Sequence, residues 1–299
     1  YVVFEEMGAA LLCAPYFSTV ALAANALLTS GDDAAKAEYL PGIAAGETIA
    51  TLALTDDNGD WDPAATAVTA SGSGDSYTIT GVKNYVIDGS VANVIFVTAK
   101  TAKGLSLFAV DGSASGLSKE LLPTMDQTRK QSRLEFNNTP ARLIGTDGGA
   151  EAGIKKTLQR AATLLAAEQT GGAQRCLDSA VAYAKERVQF GRPIGSFQAI
   201  KHKAADMLLE VESAKSAAYY AAYCAQEDNE DLAIAASLAK SFCSEAYFHC
   251  SGESIQIHGG IGFTWEHHAH LYFKRAKSSE LLLGDPTYHR EILANLLGI

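Results

Sequence analysis

The sequence predicts an α+β fold, with helices at both ends of the chain and a block of short strands between them. Apolar residues recur at helical spacing in residues 1–46 and again in 149–299, whereas 47–148 holds short apolar segments separated by Gly, Ser, Asp and Asn. Strands and helices do not alternate as βα units in this pattern, which argues against a Rossmann fold. We therefore predict three domains with these boundaries.

The first domain is predicted to contain two helical segments. Residues 4–30 have apolar positions at helical spacing with an interruption at Pro15, and a shorter helix ends at Pro41-Gly42. The second domain is predicted to be an antiparallel barrel or sandwich, because its apolar segments are short and turn residues separate them. The predicted strands are residues 48–54, 77–80, 82–87, 94–99, 105–110 and 133–136.

The third domain is predicted to consist of long helices. One runs through residues 158–188, and two more cover 204–224 and 232–250. The pair Gly171-Gly172 lies inside the first of them and costs helix stability. We therefore expect another helix or a ligand to approach closely at this point.

Composition excludes several classes of function. The 299 residues carry a net charge of −10, which argues against nucleic acid or an anionic membrane as the main partner. No apolar segment is long enough and free enough of charge to span a bilayer. The five cysteines form no C-x-x-C pair and are predicted to be free thiols of a cytoplasmic protein; they are Cys13, Cys176, Cys224, Cys243 and Cys250.

One segment near the middle of the chain carries residues suited to a cofactor with a pyrophosphate group. Arg187 can form forked hydrogen bonds with phosphate oxygens, Phe190 offers an apolar wall, and Gly191 lets backbone approach a ligand. Gln198 adds a donor and an acceptor seven residues after Gly191. The same residues are also compatible with a simple helix end, in which a basic last turn precedes a Gly-Arg-Pro stop.

A glycine-rich segment follows after further helical sequence. Gln256 and His258 precede Gly259-Gly260, and Gly262 comes two residues later. Glycines leave backbone N–H groups uncovered, so that these groups can face an anion or the edge of a ring. By itself such a turn is weak evidence for a site. Paired with the Arg187 segment, it resembles the acyl-CoA dehydrogenase family, and the resemblance extends over residues 1–299.

This resemblance implies a remnant of a helical N-domain, a central antiparallel β-barrel and a C-terminal four-helix bundle. It implies FAD as cofactor, with its adenine and pyrophosphate end clamped across a subunit interface by Arg187, Phe190, Gln198, Gln256, His258, Gly259 and Gly260. It also implies α,β-dehydrogenation of an acyl-CoA substrate, an electron-transfer flavoprotein or similar acceptor, and a homo- or hetero-tetramer. Family members carry further N-terminal helices, so we expect residue 1 to lie inside that domain.

The catalytic carboxylate is the point at which this chain departs from the family pattern. Many members carry a Glu at the position matched here by Leu283, which cannot accept a proton. Other members carry it at the position matched by Ala161, with no acid adjacent. The remaining candidates are Glu280 and Asp285, which lie near Leu283 in sequence. Glu168 is interpreted as a helix-surface or buried, paired carboxylate.

At the reactive end of the flavin, the resemblance implies contacts from Thr55 and Tyr85. Thr55 keeps the first residue of a Thr-Glu-Pro-x-x-Gly-Ser-Asp turn, in which Trp61 here replaces the serine. Tyr85 stands where a Trp-Ile-Thr strand begins, and Ile87, which replaces its Thr, cannot donate a hydrogen bond to the flavin. The alternative is that Thr55 and Tyr85 are ordinary barrel residues.

An intact clamp and an altered reaction centre leave two functions open. The chain is either a dehydrogenase of fatty-acid or sterol-derived thioesters in its own right, or a supporting subunit of a heteromeric enzyme whose partner supplies the base. His267, His268 and His270 are spaced too poorly to converge on a metal ion from one helix face. We therefore predict surface or interface histidines and no metal site.

Overall fold

The computed structural model describes residues 1–74 and 76–299, and the order of its elements follows the predicted order of helices, strands and helices. The first helices are α1 (Val2–Ala9), a π-helical segment (Phe17–Ala24), α2 (Asn25–Thr29) and α3 (Asp33–Ala44). The strands of the central block are β1 (Ala50–Ala53), β2 (Thr69–Ser73), β3 (Ser76–Ile87), β4 (Val94–Thr101), β5 (Gly104–Asp111), β6 (Leu117–Leu121) and β7 (Gln131–Ile144). The remaining elements are α4 (Glu151–Glu186), β8 (Val188–Gln189), β9 (Arg192–Pro193), α5 (Gln198–Gln226), α6 (Leu232–His258), α7 (Ala269–Leu281) and α8 (Pro286–Leu297).

Two strands of the central block were not predicted from the sequence. The residues of β2 are Thr-Ala-Ser-Gly-Ser and those of β6 are Leu-Ser-Lys-Glu-Leu, so neither has the β-branched and aromatic content that marks a strand. Both are held by their neighbours, β2 by β3 and β6 by β7. The two predicted strands at 77–80 and 82–87 are one strand, β3, whose register against β7 shifts at two points.

The chain forms two compact units. One consists of Tyr1–Cys13 together with Ala162–Ile299, and the other of Ala14–Ala161. The predicted division into 1–46, 47–148 and 149–299 marks where the character of the sequence changes, and as a division into domains it stays a prediction. None of the helices in the described part of the chain is long and apolar enough to cross a membrane.

The sheet of the second unit closes on itself. Pairing runs from β4 through β2, β3, β7 and β5 back to β4, with β1 added to β4 and β6 added to β7. The predicted barrel is thus present, but it is mixed rather than purely antiparallel, because β1 and β2 both run parallel to β4. Neither parallel pair is joined by a tight hairpin, so nothing forces it to be antiparallel. Apolar side chains fill the interior, among them Ile79, Val97, Phe108, Leu134 and Phe136.

Helices α4 to α7 form a bundle in the first unit, and α8 packs against α6. Small side chains dominate one part of its core, including Ala166 of α4, Ala214 and Ala218 of α5, and Ala239 and Ala246 of α6. Small residues let helix axes approach closely while dispersion contacts are kept. The four-helix bundle implied by the resemblance is therefore observed.

The glycine pair in α4 has the role predicted for it. A Cβ atom at Gly171 would lie 1.8 Å from the carbonyl oxygen of Glu5, and one at Gly8 would lie 1.8 Å from that of Glu168. A Cβ at Gly172 would meet the ring of Tyr247 at 2.4 Å. Helix α1 thus crosses α4 backbone to backbone, and only glycine permits that approach.

Candidate functional site

The Arg187 segment forms a tight hairpin at the end of α4. Val188-Gln189 pairs with Arg192-Pro193, and the turn between them has positive φ at both Phe190 (55°) and Gly191 (77°). Two consecutive positive φ values define a type I′ turn, for which glycine is well suited and phenylalanine is not. The hairpin is fixed to the helix by hydrogen bonds of the Arg187 backbone with Tyr183 and Ile194.

Phe190 combines backbone strain with exposure. The residue is 91% exposed, and its only described aromatic contact is the edge of Phe197 at 6.1 Å between ring centroids. The guanidinium carbon of Arg192 lies 4.1 Å from the ring centroid of Phe197, so a cation–π contact stabilises the ring against which Phe190 packs. A large apolar side chain kept at positive φ and in water indicates a surface that a ligand or partner covers.

The glycine-rich segment forms an open turn at the end of α6. Gly259 has a φ of 66°, and no atom lies within 4 Å of the Cβ positions of Gly259 or Gly260. The preceding His258 is buried; its Nδ1 donates to the carbonyl of Ser254 at 2.7 Å, and its ring lies 4.6 Å from that of Tyr183. Tyr183 is one helical turn before Arg187, so the ends of α4 and α6 meet here.

The two predicted amide contacts lie on the surface near the ends of these helices. Gln198 is the first residue of α5, Gln256 lies in the last turn of α6, and both are exposed. Their side chains are therefore available to a ligand. The sequence pattern predicted Gln198 and Gln256 as site residues. The structure shows that the helix ends on which they lie belong to one compact unit.

The histidines are more buried than predicted. His258 and His270 are 4% and 6% exposed, so the expectation of a surface or interface histidine was wrong for His270. The ring centroids of His267 and His258 are 4.3 Å apart, and His267 accepts a hydrogen bond from the Ala269 amide. The pKa of His267 is lowered, mainly by burial and next by the neighbouring imidazoles. Within residues 1–74 and 76–299, no three His, Cys, Asp or Glu side chains are grouped so that they could hold a metal ion.

The turn at Leu283 is closed. Leu283 has a φ of 62° and a buried side chain, and its carbonyl accepts a hydrogen bond from His289 Nε2 at 2.9 Å. The ammonium of Lys240, which is fully buried, donates to the carbonyls of Gly284 at 2.9 Å and Glu280 at 3.0 Å. Burial, reinforced by Lys240, lowers the pKa of His289 to about 4.

The nearby carboxylates already have structural partners. Asp285 caps α8 by accepting from the amide of Tyr288 at 2.8 Å. Glu280 accepts from Lys277 Nζ at 2.8 Å. Glu168 and Arg275 form an ion pair at 2.8 Å in which both side chains are at most 4% exposed, which confirms the interpretation of Glu168 as a buried, paired carboxylate.

In the second unit, Thr55 and Tyr85 are joined through the backbone of Asn84. The Thr55 hydroxyl donates to the Asn84 carbonyl at 2.6 Å, and the Asn84 amide donates to the Thr55 carbonyl at 2.8 Å. Tyr85 follows in a bulge of β3 with a φ of 55° and an exposed ring, whereas Ile87 is buried. A bulge redirects a side chain out of the regular strand pattern, and here it turns Tyr85 toward solvent.

Sequence reasoning missed the buried lysines. Lys83 and Lys240 are both fully buried. Lys83 interrupts the apolar pattern of β3, and this interruption could have drawn attention to a buried lysine. A lysine is almost never fully buried unless polar groups pair with it. Lys240 offered no such signal, because a lysine in a helix is ordinarily exposed.

These features fit a flavin nucleotide. The open Gly259-Gly260 turn leaves the space that a bound group needs, and Arg187 and the two glutamines stand exposed at the neighbouring helix ends. A closed β-barrel followed by a helical bundle with this pair of segments defines the class of acyl-CoA dehydrogenases, enzymes that use FAD.

Comparison with known proteins identifies the family. Residues 149–298 match the profile "Acyl-CoA dehydrogenase, C-terminal domain", and residues 51–139 match "Acyl-CoA dehydrogenase, middle domain". The chain is 37% identical over 285 residues to acyl-CoA dehydrogenase IpdE2 of Mycolicibacterium smegmatis, covering 95% of this chain and 74% of that protein. It is 37% identical to IpdE2 of Mycobacterium tuberculosis, covering 99% and 75%. The chain therefore belongs to the acyl-CoA dehydrogenase family.

Solved structures agree with this assignment. A variant of the Tcur3481-Tcur3483 steroid ACAD is 33% identical and has a TM-score of 0.90, covering 99% of this chain and 80% of that one. Butyryl-CoA dehydrogenase from Megasphaera elsdenii is 27% identical with a TM-score of 0.93 and the same coverages. The predicted family, fold class and FAD cofactor are confirmed.

Proposed function

We propose that this chain is a FAD-binding subunit of a heteromeric acyl-CoA dehydrogenase, and that a second chain of the family supplies the base. The observation that carries the proposal is the turn at Leu283. The side chain at the expected position of the carboxylate is apolar and buried, and the backbone around it is fixed by His289 and Lys240. A leucine at this position binds no proton, so proton abstraction needs another carboxylate.

The residues at the ends of α4 and α6 are assigned to the adenine end of FAD. The Arg187 guanidinium would pair with the pyrophosphate, and the open space beside Gly259 and Gly260 would admit it without a side chain in the way. The Gly259 N–H itself donates to the carbonyls of Ile255 and Gln256. Phe190 covers apolar surface, and Gln198 and Gln256 donate and accept hydrogen bonds. His258 fixes the end of α6 from which the turn starts.

The residues Thr55 and Tyr85 are assigned to the other end of the cofactor. FAD, when bound, supplies a hydride acceptor for the dehydrogenation. Tyr85 presents an exposed ring, which suits stacking beside an aromatic system. Ile87 is buried in the strand and Trp61 replaces a hydroxyl, so the chain offers fewer hydrogen bonds at this end than the family pattern does.

Two findings support a partner of the same family. The Glu280 carboxylate pairs with Lys277, and the Asp285 carboxylate accepts from the amide of Tyr288 in α8. One of the similar structures is a variant of the Tcur3481-Tcur3483 steroid ACAD, a designation that names two components. We infer a hetero-tetramer in the cytoplasm that acts on sterol-derived or fatty acyl-CoA and passes electrons to an electron-transfer flavoprotein; its free, mostly buried thiols suit that compartment.

A second candidate is an autonomous enzyme in which Glu280 or Asp285 serves as base. Their closeness in sequence to Leu283 favours it, since a shift of the turn moves both carboxylates. Under this alternative, Glu280→Gln or Asp285→Asn retains FAD and lowers turnover at least about 100-fold, the lower end of a general-base contribution. Under the heteromeric proposal, Glu280→Gln leaves turnover of the assembled enzyme unchanged within about twofold, because the base belongs to the partner.

The deciding experiment compares the chain purified alone with the chain co-expressed with its partner. We expect the chain alone to show no turnover of any acyl-CoA with an artificial electron acceptor, and the assembled protein to be yellow and active. Robust turnover by the single chain contradicts the heteromeric proposal. Leu283→Glu with Leu283→Gln as the uncharged control then tests whether this chain's own turn faces a flavin: only the carboxylate variant can create activity.

A further inference from the structure

The ammonium of Lys83 is enclosed by four polar groups from three segments of the second unit. It donates to the Leu54 carbonyl at 2.6 Å, the Asp56 carboxylate at 2.7 Å, the Thr66 hydroxyl at 2.8 Å and the Thr98 hydroxyl at 3.1 Å. An ammonium has three protons, so these four acceptors saturate it. The side chain is fully buried, and the Asp56 side chain is 11% exposed.

Two of these acceptors stand on either side of Thr55 in the sequence. Leu54 is held by its carbonyl and Asp56 by its carboxylate, so the backbone of Thr55 is fixed from both directions. The next residue after Lys83 is Asn84, whose backbone exchanges two hydrogen bonds with Thr55. The strained, exposed Tyr85 follows directly. One buried charge therefore determines where both Thr55 and Tyr85 stand.

The cost of burying this charge argues for more than packing. Burial lowers the pKa of Lys83 to about 8, while the hydrogen bond and charge of Asp56 act in the opposite direction. Asp56 is the charged group that faces Lys83; Thr66, Thr98 and the Leu54 carbonyl are uncharged. Apolar side chains at both positions would avoid that cost, because replacement of a whole buried ion pair by apolar residues is often neutral or stabilising.

We propose that Lys83 is a positioning residue that sets Thr55 and Tyr85 for the redox end of FAD. The inference rests on the proposed function, in particular on the assignment of Thr55 and Tyr85 to the flavin. When Lys83 loses its proton, it keeps two N–H donors for four acceptors and its charge attraction to Asp56 is lost, so the segment around Thr55 is held less firmly. The surroundings of the bound flavin then change with the protonation of Lys83.

The first test compares FAD with ADP as probes, because ADP carries only the adenine end. Affinities are measured for the flavin-free protein in the assembly in which it purifies. We expect Lys83→Met to weaken FAD about tenfold or more, equivalent to one lost hydrogen bond, and to leave ADP unchanged. The control is Lys119→Met in the same unit, where a partly buried lysine donates to the Ala92 carbonyl; this variant should change neither affinity.

The second test can overturn the inference with the parent protein alone. The visible circular dichroism of bound FAD is followed from pH 6.5 to 9; we expect one transition near 8 in the parent and in Lys119→Met, and none in Lys83→Met. A flat parent titration, or a transition that survives in Lys83→Met, overturns the inference. A parent that binds FAD no more tightly than ADP instead contradicts the assignment of Thr55 and Tyr85 to the flavin, and with it the proposed function.

Discussion

Two glycine-containing turns in the same compact unit have opposite surroundings. At Gly259-Gly260, after α6, no atom lies within 4 Å of either Cβ position. At Leu283-Gly284, after α7, a Cβ on Gly284 would lie 2.2 Å from the ring of Tyr288. The glycines of the first turn thus have open space beside them, whereas the glycine of the second turn makes room for the chain's own side chain. The comparison teaches that the space beside a glycine distinguishes a turn that is open to a ligand from one that is filled by the protein itself.

The largest effect is expected from the buried ion pair that ties α7, the helix before the closed turn, to α4. Arg275→Met leaves the Glu168 carboxylate buried without its cation, and we expect a loss of about 3–5 kcal/mol in the free energy of unfolding. Urea denaturation measures this loss. The control is Arg290→Met, whose pair with Glu245 is about half exposed and should cost at most about 1 kcal/mol. Equal losses in both variants contradict the prediction.

The next effect separates the two turns directly. Gly284→Ala places a Cβ against Tyr288 at a φ of 99°, so overpacking and backbone strain should destabilise the fold by about 3 kcal/mol. Gly260→Ala enters open space and should change the free energy of unfolding by no more than about 0.5 kcal/mol. The order of effects is expected to reverse for FAD affinity, which Gly260→Ala lowers. Urea unfolding and flavin fluorescence provide the two readings.

Low pH is expected to lower the free energy of unfolding through His289, which contacts the closed turn. The pKa of His289 is about 4 in the folded protein, below its unfolded value of 6.5. The unfolded chain therefore binds more protons between these values, and stability falls as pH decreases from 6.5 to 4, by up to about 3 kcal/mol. His289→Phe should flatten this fall, whereas replacing the exposed His202 by Asn should not. Identical pH profiles for parent and His289→Phe would show that another group is responsible.

The smallest of these effects concerns the open turn and its neighbour. Arg187→Ala removes a charged donor to the pyrophosphate and should cost about 1.5–3 kcal/mol of FAD binding, or about 10- to 100-fold in Kd. Arg187 is exposed, so the free energy of unfolding without flavin should not change. Arg133→Ala, a partly exposed arginine in the other unit, is the control. Unchanged flavin affinity in Arg187→Ala removes this residue from the proposed clamp.

Much of the fold and half of the site follow from local sequence. The period of apolar residues gave the order of helices and strands, and the Arg187 and Gly259-Gly260 segments are contiguous motifs that can be recognised without coordinates. Even the role of Asp285 has a local signal, because Asp before Pro at the start of a helical pattern is a typical N-cap. Strand propensity did not predict β2 and β6, because these two strands are held in place by the strands beside them.

The sequence by itself determined the family and the cofactor, and it places Leu283 where the resemblance leads us to expect a carboxylate, because each of these depends on residue identity at fixed spacing. Only the tertiary structure decided that the Leu283 turn is filled, that Glu168 is paired with Arg275, and that Lys83 is enclosed beside Thr55. The physical reason is that burial and charge pairing are properties of groups 27 to 107 residues apart in the chain. No local pattern encodes which distant group will neutralise a buried charge, so that information exists only once the chain has folded.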